Sequence, residues 1–563
     1  MNASRPPIMS REEQAHREVG FTEISPRAAK TYVLVWLALI ALVWVVDHAV
    51  EWRTTGSLGQ ARSLAVARAL PDLWMDACTD GTTPASWLTL NRSLLQVIDA
   101  TETAVDDEGA VAAFLRPWAQ AGLWAVGAGN EQVYRGRQGW MFYRAGLDSV
   151  TAPGFLNPAQ WARRQAMSAE WDEPPQPDPL LALNRFHRDL QARKIELILV
   201  PVPVKPELLP DQFSARYRAG DVARNPSMPE FLARCSDAGI TVADVAGWLK
   251  DEQTASGRPA YLYTDTHWTP EAMALVAERL ADLVREKTGW APVPLTPVER
   301  TVVTNRGDVA AMLTFPSGFH PFPEETVTVS RVVDREGGWW RADPGAEVLV
   351  LGDSFSNIYS LEGMGWGESG GWVEHLARNL GRPVDRLVRN DAGAYATRQL
   401  LARELARGRD RLAGKKVVVY QFATRELALG DWKVLPLELG EALPSEFLRL
   451  SPGEQVEVSG IVREVSRVPR PGAVPYRDHV VSVHLVDLQR ADDEENLGEA
   501  VVFLQSMADN HWTAAARLRP GDQVALQLRS WEEMAETMEG INRSELDALD
   551  LQLEEPVWGE LRR

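Results

Sequence analysis

Val348-Leu349-Val350-Leu351-Gly352-Asp353-Ser354-Phe355 is the stretch whose reading decides the fold. Four apolar residues before Gly-Asp-Ser read as a strand buried on both faces that ends in a tight turn and presents one serine. Alone, this is an ordinary strand and turn. Its weight comes from a second stretch far upstream, Tyr263-Thr264-Asp265-Thr266-His267-Trp268. In an extended segment residues i and i+2 share a face, so the Asp265 carboxylate can reach the His267 imidazole. Acyl transfer through serine needs a general base within hydrogen-bond reach and a carboxylate to hold that base in the right tautomer. Ser354 would stand at the carboxyl end of its strand, the edge where open α/β sheets place their sites. Its own backbone N–H is a natural oxyanion donor, and the turn Asn390-Asp391-Ala392-Gly393 offers Gly393 as a second.

The histidines narrow the choice of base. Of nine, His16 and His48 flank an N-terminal apolar run, and His479, His484 and His511 lie in the C-terminal part. Among His187, His267, His320 and His375, only His267 has a carboxylate two residues away and stands just ahead of a capped helix, with Thr269 as the cap and Pro270 at the first position. Metal binding competes for Asp265 and His267. No His-x-x-x-His and no third ligand at telling spacing accompany them, so no metal is expected.

Working outward, strands and helices alternate. A helix over Leu180–Arg193 leads to the apolar run 195–203, and a helix and strand follow over 229–245. After the helix that begins at Pro270, with its stripe of Met273, Val276, Leu280 and Leu283, come the strand at 348–351, a helix at 371–380, a strand at 386–388, a helix at 397–407 and a strand at 416–422. This order predicts a mostly parallel sheet covered by helices on both faces. From Gln455 the pattern changes to period-2 alternation (Val456/Val458, Val481/Val483/Leu485, Val524/Leu526/Leu528) broken by turns such as Arg519-Pro520-Gly521-Asp522. That predicts a small five-stranded barrel of the oligonucleotide/oligosaccharide-binding (OB) type. Asp492–Glu495 reads as a solvated acidic loop.

The N-terminal part places the chain. Tyr32 to Val46 is apolar on every side, and Ala49, Val50 and Trp52 extend it toward the roughly 20 residues that span a bilayer. Arg27 and Lys30 precede it and Asp47 and Glu51 follow, a bias that puts the N-terminus in the cytoplasm. No small-x-small cleavage pattern follows, which favours an uncleaved anchor over a signal peptide. The 563 residues, 45% hydrophobic and 24% charged, allow a sizeable core, and a net charge of −19 argues against nucleic acid as a partner. The two cysteines, Cys78 and Cys235, exclude a disulfide-dense scaffold and leave either one bridge or two unpaired thiols.

Gly-Asp-Ser-Phe after an apolar strand, preceded by Asp-Thr-His-Trp-Thr-Pro, resembles the membrane-anchored alginate O-acetyltransferase family (AlgJ/AlgX-like), with an SGNH-hydrolase-like fold. Supporting segments are Gly136–Tyr143, Val200–Lys205, Asn390–Tyr395, Gln421–Arg425 and Val19–Ser25. The resemblance spans about residues 10–435, and the C-terminal β module departs from the carbohydrate-binding module that some members carry. It implies Ser354 as nucleophile, His267 as base and Asp265 as its orienting partner. It places Tyr359 and Arg425 at the site in binding or structural roles, and Trp268 and Trp366 as core residues or sugar-stacking rings. It implies no cofactor. Its implied partners are a polysaccharide acceptor and a polytopic membrane O-acyltransferase (MBOAT type) that supplies acetyl. The expected organisation is a cytoplasmic tail (1–30), an inner-membrane anchor (31–52), a helical stem (53–129), a periplasmic acetyltransferase domain (130–436) and the OB-like module (445–563). The expected function is O-acetylation of an exported polysaccharide. The alternatives are an acetyl esterase with the same three residues, or a non-catalytic polysaccharide-binding component.

Overall fold

The N-terminal helix α1 (Pro26–Thr55) is started by Ser25, whose hydroxyl accepts from Ala28 N–H, and ended by Gly56 in the left-handed conformation. The computed structural model describes residues 25–562 apart from 57–60, 80–83, 168–173, 334–337, 442–445, 473, 475, 492–494 and 539. Most of the expected tail, the Val19–Ser25 motif up to residue 24 and most of the Asp492–Glu495 loop lie outside the described residues. Helix α1 has a mean hydropathy of 2.3 over its most apolar window, where only 6% of the residues are buried. At about 1.5 Å per residue it is long enough to cross a bilayer and fits a single-pass anchor. With α2 (Ala65–Thr79), α3 (Pro84–Glu108), α4 (Ala110–Ala125) and the short segment 314–319, it forms one of two compact units.

The second unit holds residues 128–313 and 320–563. Its centre is a five-stranded, wholly parallel sheet: β1 (Glu196–Val202), β2 (Thr241–Val242), β3 (Val348–Gly352), β4 (Asp385–Val388) and β5 (Val417–Ala423), in the order β2-β1-β5-β3-β4. Successive side chains in a strand point to opposite faces. Accordingly Ile198, Val200, Val348, Val350, Val417 and Val419 enter one core, and Leu197, Leu199, Leu349, Leu351, Val418 and Tyr420 enter the other. Helices α7 (Val245–Ser256), α8 (Pro270–Thr288) and α9 (Trp372–Leu380) cover the first face through Leu249, Val276, Leu280 and Leu376. Helices α5 (Pro179–Ala192), α6 (Met228–Asp237) and α10 (Ala396–Ala406) cover the second through Phe186, Phe231 and Leu401. The expected doubly covered sheet is what forms. A long antiparallel hairpin, Val298–Asn305 with Glu325–Val332, was not expected.

The same unit carries the barrel. Strands β6 (Gln455–Val465), β7 (His479–Arg490), β8 (Asn496–Ala508), β9 (Gln523–Ser530) and β10 (Val557–Leu561) close in the order β6-β7-β8-β10-β9 and back to β6. All contacts are antiparallel except β8 with β10, which is parallel. Val456, Val458, Val481, Val483, Leu485, Val524, Leu526 and Leu528, the alternating residues, fill its interior. Arginines join barrel and sheet domain: Arg409 grips Asp487 with two hydrogen bonds (3.1 and 2.8 Å), and Arg517 pairs with Glu362 at 2.7 Å. Cys78 and Cys235 are both free thiols, the first exposed and the second buried.

Candidate active site

Strand β3 ends at Gly352, where a Cβ would stand 2.3 Å from Ser356 Oγ and 3.0 Å from Gln421 Oε1, so only glycine fits. The turn behind it is locked by Gln421 on neighbouring β5. Its Oε1 accepts from Asp353 N–H (3.0 Å) and from Ser356 Oγ (2.7 Å), and its Nε2 donates to Asp353 Oδ1 (2.6 Å). The Asp353 carboxylate also takes the Phe355 and Ala423 N–H groups (2.9 and 2.8 Å). Ser354 therefore opens the short helix Ser354–Asn357 on a fully bonded base, and its own N–H lies among those a helix leaves unused at its start.

His267 is fixed from the other side. Thr269 Oγ1 accepts from Ala272 N–H and caps α8, and a bridge pairs Tyr261 with Trp268. His267 Nε2 lies 2.9 Å from Ser354 Oγ, and its Nδ1 lies 2.6 Å from Asp265 Oδ1. A carboxylate only accepts, so Nδ1 carries the proton and Nε2 is left to accept from the serine hydroxyl. Asp265 Oδ2 takes the Trp366 indole N–H (2.8 Å) and the Asp308 N–H (3.0 Å). All three residues are buried, with Ser354 the most open at 8%.

Asp308 is the part that sequence reading missed. Its Oδ2 lies 3.6 Å from His267 Nδ1, and its carboxylate accepts from Thr266 N–H (2.7 Å) and Thr266 Oγ1 (2.5 Å). Gly307, at φ +80°, delivers it; a Cβ there would meet Thr264 O at 2.6 Å and Asp265 Cβ at 2.8 Å. Asp265, His267 and Asp308 bring ligand atoms within 4.8 Å of one another, a grouping that could hold a metal ion. Both imidazole nitrogens are, however, engaged by Asp265 and Ser354.

The charges follow from this packing. Burial would raise Asp265, but the charge and hydrogen bond of His267, with the Trp366 donor, hold it well below the usual carboxylate range. Burial would lower His267, yet the charge and hydrogen bond of Asp265, aided by Asp308, raise it; Arg425 opposes them. Arg425 is thus within electrostatic reach of the imidazole, and its guanidinium lies 5.8 Å from the Tyr143 ring centre. Tyr359 is fully buried and its hydroxyl donates to Trp268 O at 2.6 Å, so it braces the histidine segment from within the core. Gly393 is buried against Asp353, the neighbour of Ser354, with its Cβ position 3.3 Å from Asp353 Oδ2. Trp268 and Trp366 have no exposed surface, which removes them as stacking platforms.

Residues 133–424 match the family described as "SGNH hydrolase-like domain, acetyltransferase AlgX". The chain is 28% identical over 264 residues to the probable alginate O-acetylase AlgJ of Pseudomonas aeruginosa, covering 45% of this chain and 60% of that one. It is 30% identical over 140 residues to the corresponding protein of Azotobacter vinelandii, covering 25% and 32%. It thus spans less than two thirds of the length of these curated relatives. Among solved structures, the O-acetyltransferase domain of Pseudomonas putida AlgJ is similar over 53% of this chain and 93% of its own, at 20% identity and a TM-score of 0.38. Pseudomonas aeruginosa AlgX is similar over 70% and 86%, at 13% identity and a TM-score of 0.35. With the family match running from residue 133 through the turn after β5, just over half of its length, the chain belongs to the SGNH hydrolase-like acetyltransferase family of AlgX.

Proposed function

We propose that this protein is a membrane-anchored O-acetyltransferase that passes acetyl through Ser354 to a hydroxyl of an exported polysaccharide. The observation that carries the reading is the unbroken line Ser354 Oγ, His267 Nε2, His267 Nδ1, Asp265 Oδ1, at 2.9 and 2.6 Å, on the carboxyl edge of a parallel sheet. His267 takes the Ser354 proton as Oγ attacks the acetyl carbonyl of an ester donor, and Asp265 stabilises the imidazolium. The Ser354 N–H, with the Gly393 turn as a second donor, faces the oxyanion. Collapse of the intermediate returns the proton from His267 to the leaving alcohol and leaves acetyl on Ser354. A sugar hydroxyl then gives its proton to His267, attacks the acyl-serine and departs as the acetyl ester, with the proton returned to Ser354. Family membership supports a polytopic membrane acyltransferase as donor and the inner membrane as the location. The charge bias around α1 supports a cytoplasmic N-terminus and a periplasmic catalytic domain.

The test uses detergent-solubilised full chain with an activated acetyl ester and an oligosaccharide, read by mass spectrometry. Wild type should carry acetyl on Ser354 and transfer it to the sugar, and Ser354→Ala should do neither. Full activity in Ser354→Ala would remove the reading. Acetate release without sugar modification would replace transfer by hydrolysis.

A further inference from the structure

Helix α4 (Ala110–Ala125) is the wrong way round for a helix in water. Its sequence, Ala-Val-Ala-Ala-Phe-Leu-Arg-Pro-Trp-Ala-Gln-Ala-Gly-Leu-Trp-Ala, holds one charged residue, Arg116, which pairs with Asp106 at 2.7 Å. Its one amide side chain, Gln120, is buried, whereas Phe114, Leu115, Trp118 and Leu123 are exposed, Phe114 at 69% and Trp118 at 60%. Val126, just beyond the helix, is 81% exposed. Residues 114, 118 and 126 continue one face at spacings of four and eight, with 115 and 123 beside it. A surface helix of a soluble domain turns its apolar stripe to the core and its polar residues outward. In α4 the two are exchanged, and an apolar face left open in this way marks a contact with protein or membrane. The neighbouring helices add to it: Trp74 of α2 and Trp87 of α3 meet edge to face at 5.6 Å, both about half exposed.

What covers the face follows from where α4 begins. Asp47 is the first charged residue after the apolar run Tyr32–Val46 of α1, and so the point where a spanning helix leaves the hydrocarbon. Its Oδ1 accepts from Val111 N–H at 3.0 Å, and its Oδ2 lies 3.6 Å from the Cβ position of Gly109. One turn further along α1, Glu51 pairs with Arg62 at 3.0 Å. Residues 31–46 are exposed throughout, so α4 leaves α1 at the level of Asp47 instead of running down beside the apolar run. At about 1.5 Å per residue its 16 residues are also too short to cross a bilayer. At its far end Trp124 meets Phe315 edge to face at 5.9 Å, a residue of the segment 314–319 that belongs to the same compact unit.

We propose that α4 lies on the lipid bilayer surface at the Asp47 end of α1, with Phe114, Leu115, Trp118 and Val126 entering the boundary between headgroups and acyl chains. Tryptophan favours that boundary, and an apolar helix too short to span lies in its plane. The face is held against the lipid because α1 is already inserted; it adds to the anchor and does not replace it. The docking therefore rests on α1 crossing the membrane, but it involves no turnover and can fail while acetyl transfer stands. Segment 314–319 begins six residues after Asp308, so a short stretch of chain joins the unit on the lipid to the carboxylate that faces His267.

The test uses full-length Cys78→Ser protein, which keeps only the buried Cys235. Phe114→Cys, Trp118→Cys or Val126→Cys in that background carries an environment-sensitive fluorophore, and the protein is placed in bilayer nanodiscs of phosphatidylcholine and phosphatidylglycerol. Each label should shift its emission to the blue, lose its quenching by iodide, and be quenched by lipids bearing a nitroxide just below the headgroup. High salt should not reverse this, because the contact is apolar. A label at Arg477→Cys, exposed on the barrel, should stay open to iodide. The Val126 position, outside the helix, keeps the test if either of the other two substitutions lowers the melting temperature. Labels open to iodide in protein that stays with the discs would overturn the proposal and leave the anchor standing. Shielding from iodide without nitroxide quenching would assign the face to a second copy of this chain and overturn it equally. Protein that does not enter the discs would remove the anchor, and the proposal with it.

Discussion

At the scale of single residues, what matters is the state of one imidazole. In the proposed mechanism His267 acts as a base only when neutral, and its pKa lies above the ordinary histidine value because Asp265 and Asp308 face it. Activity should therefore fall as pH drops through a point above about 6.5. Asp308→Asn removes one of the two raising charges, so the acid limb of kcat/KM should move to lower pH while most activity survives; an unmoved limb would mean that Asp308 does not act on the histidine. Asp265→Asn should cost about 10³–10⁴-fold in kcat, because the amide no longer fixes the tautomer. Asp265 and His267 were legible in sequence because they meet across two residues. Asp308 and Trp366 were not, because each reaches Asp265 from tens of residues away and nothing in Arg306-Gly307-Asp308 signals it. Tyr359 was placed near the site, and the structure makes it a brace through Trp268 O.

At the scale of elements, the site depends on two backbones that meet without room to spare. Gly307→Ala forces a Cβ into the Thr264–Asp265 backbone at a positive φ, and should cost about 1–3 kcal/mol and lower the melting temperature by several degrees. If the loss of activity exceeds what the loss of folded protein explains, the strain has reached Asp265. Leu280→Ala in α8, wholly buried behind the histidine, should cost about 2–5 kcal/mol through its cavity. The buried strands were readable because runs such as Leu197–Val200 have no polar face, and α8 because its cap and stripe agree. The hairpin Val298–Asn305/Glu325–Val332 escaped notice because a long connection separates its strands, and its residues are largely half-exposed. The barrel's alternation was visible, whereas the pairing of β8 with β10 across some fifty residues of chain was not.

At the scale of the whole molecule, stability should depend on pH through groups near the site but outside the proton relay. Burial raises Glu207 to about 7 although Thr424 and the Val204 N–H hydrogen-bond it. Its raised pKa means that the unfolded chain binds fewer protons between about 4.5 and 7, so its contribution is full below that window and lost as pH rises through it. Lys205, buried between Trp140 and Phe142 and lowered to about 8, acts in the opposite sense, and stability should rise from about 8 toward 10.5. Melting temperatures measured against pH check both, and Glu207→Gln should flatten the first slope alone. Removing residues 1–55 should move the protein from the membrane to the soluble fraction; continued pelleting with membranes would show that α1 is not what holds it there.

The parallel pairing of β10 with β8 also bears on how the chain is made. Residues 557–561 supply the strand that completes the ring, bonded to β8 on one side and β9 on the other. During synthesis the sheet domain can fold as a unit before those residues have emerged from the ribosome. Until they emerge, β8 and β9 present unpaired edges, the kind of surface that recruits other chains. The arrival of β10, rather than the collapse of the larger domain, then decides when these two edges are covered.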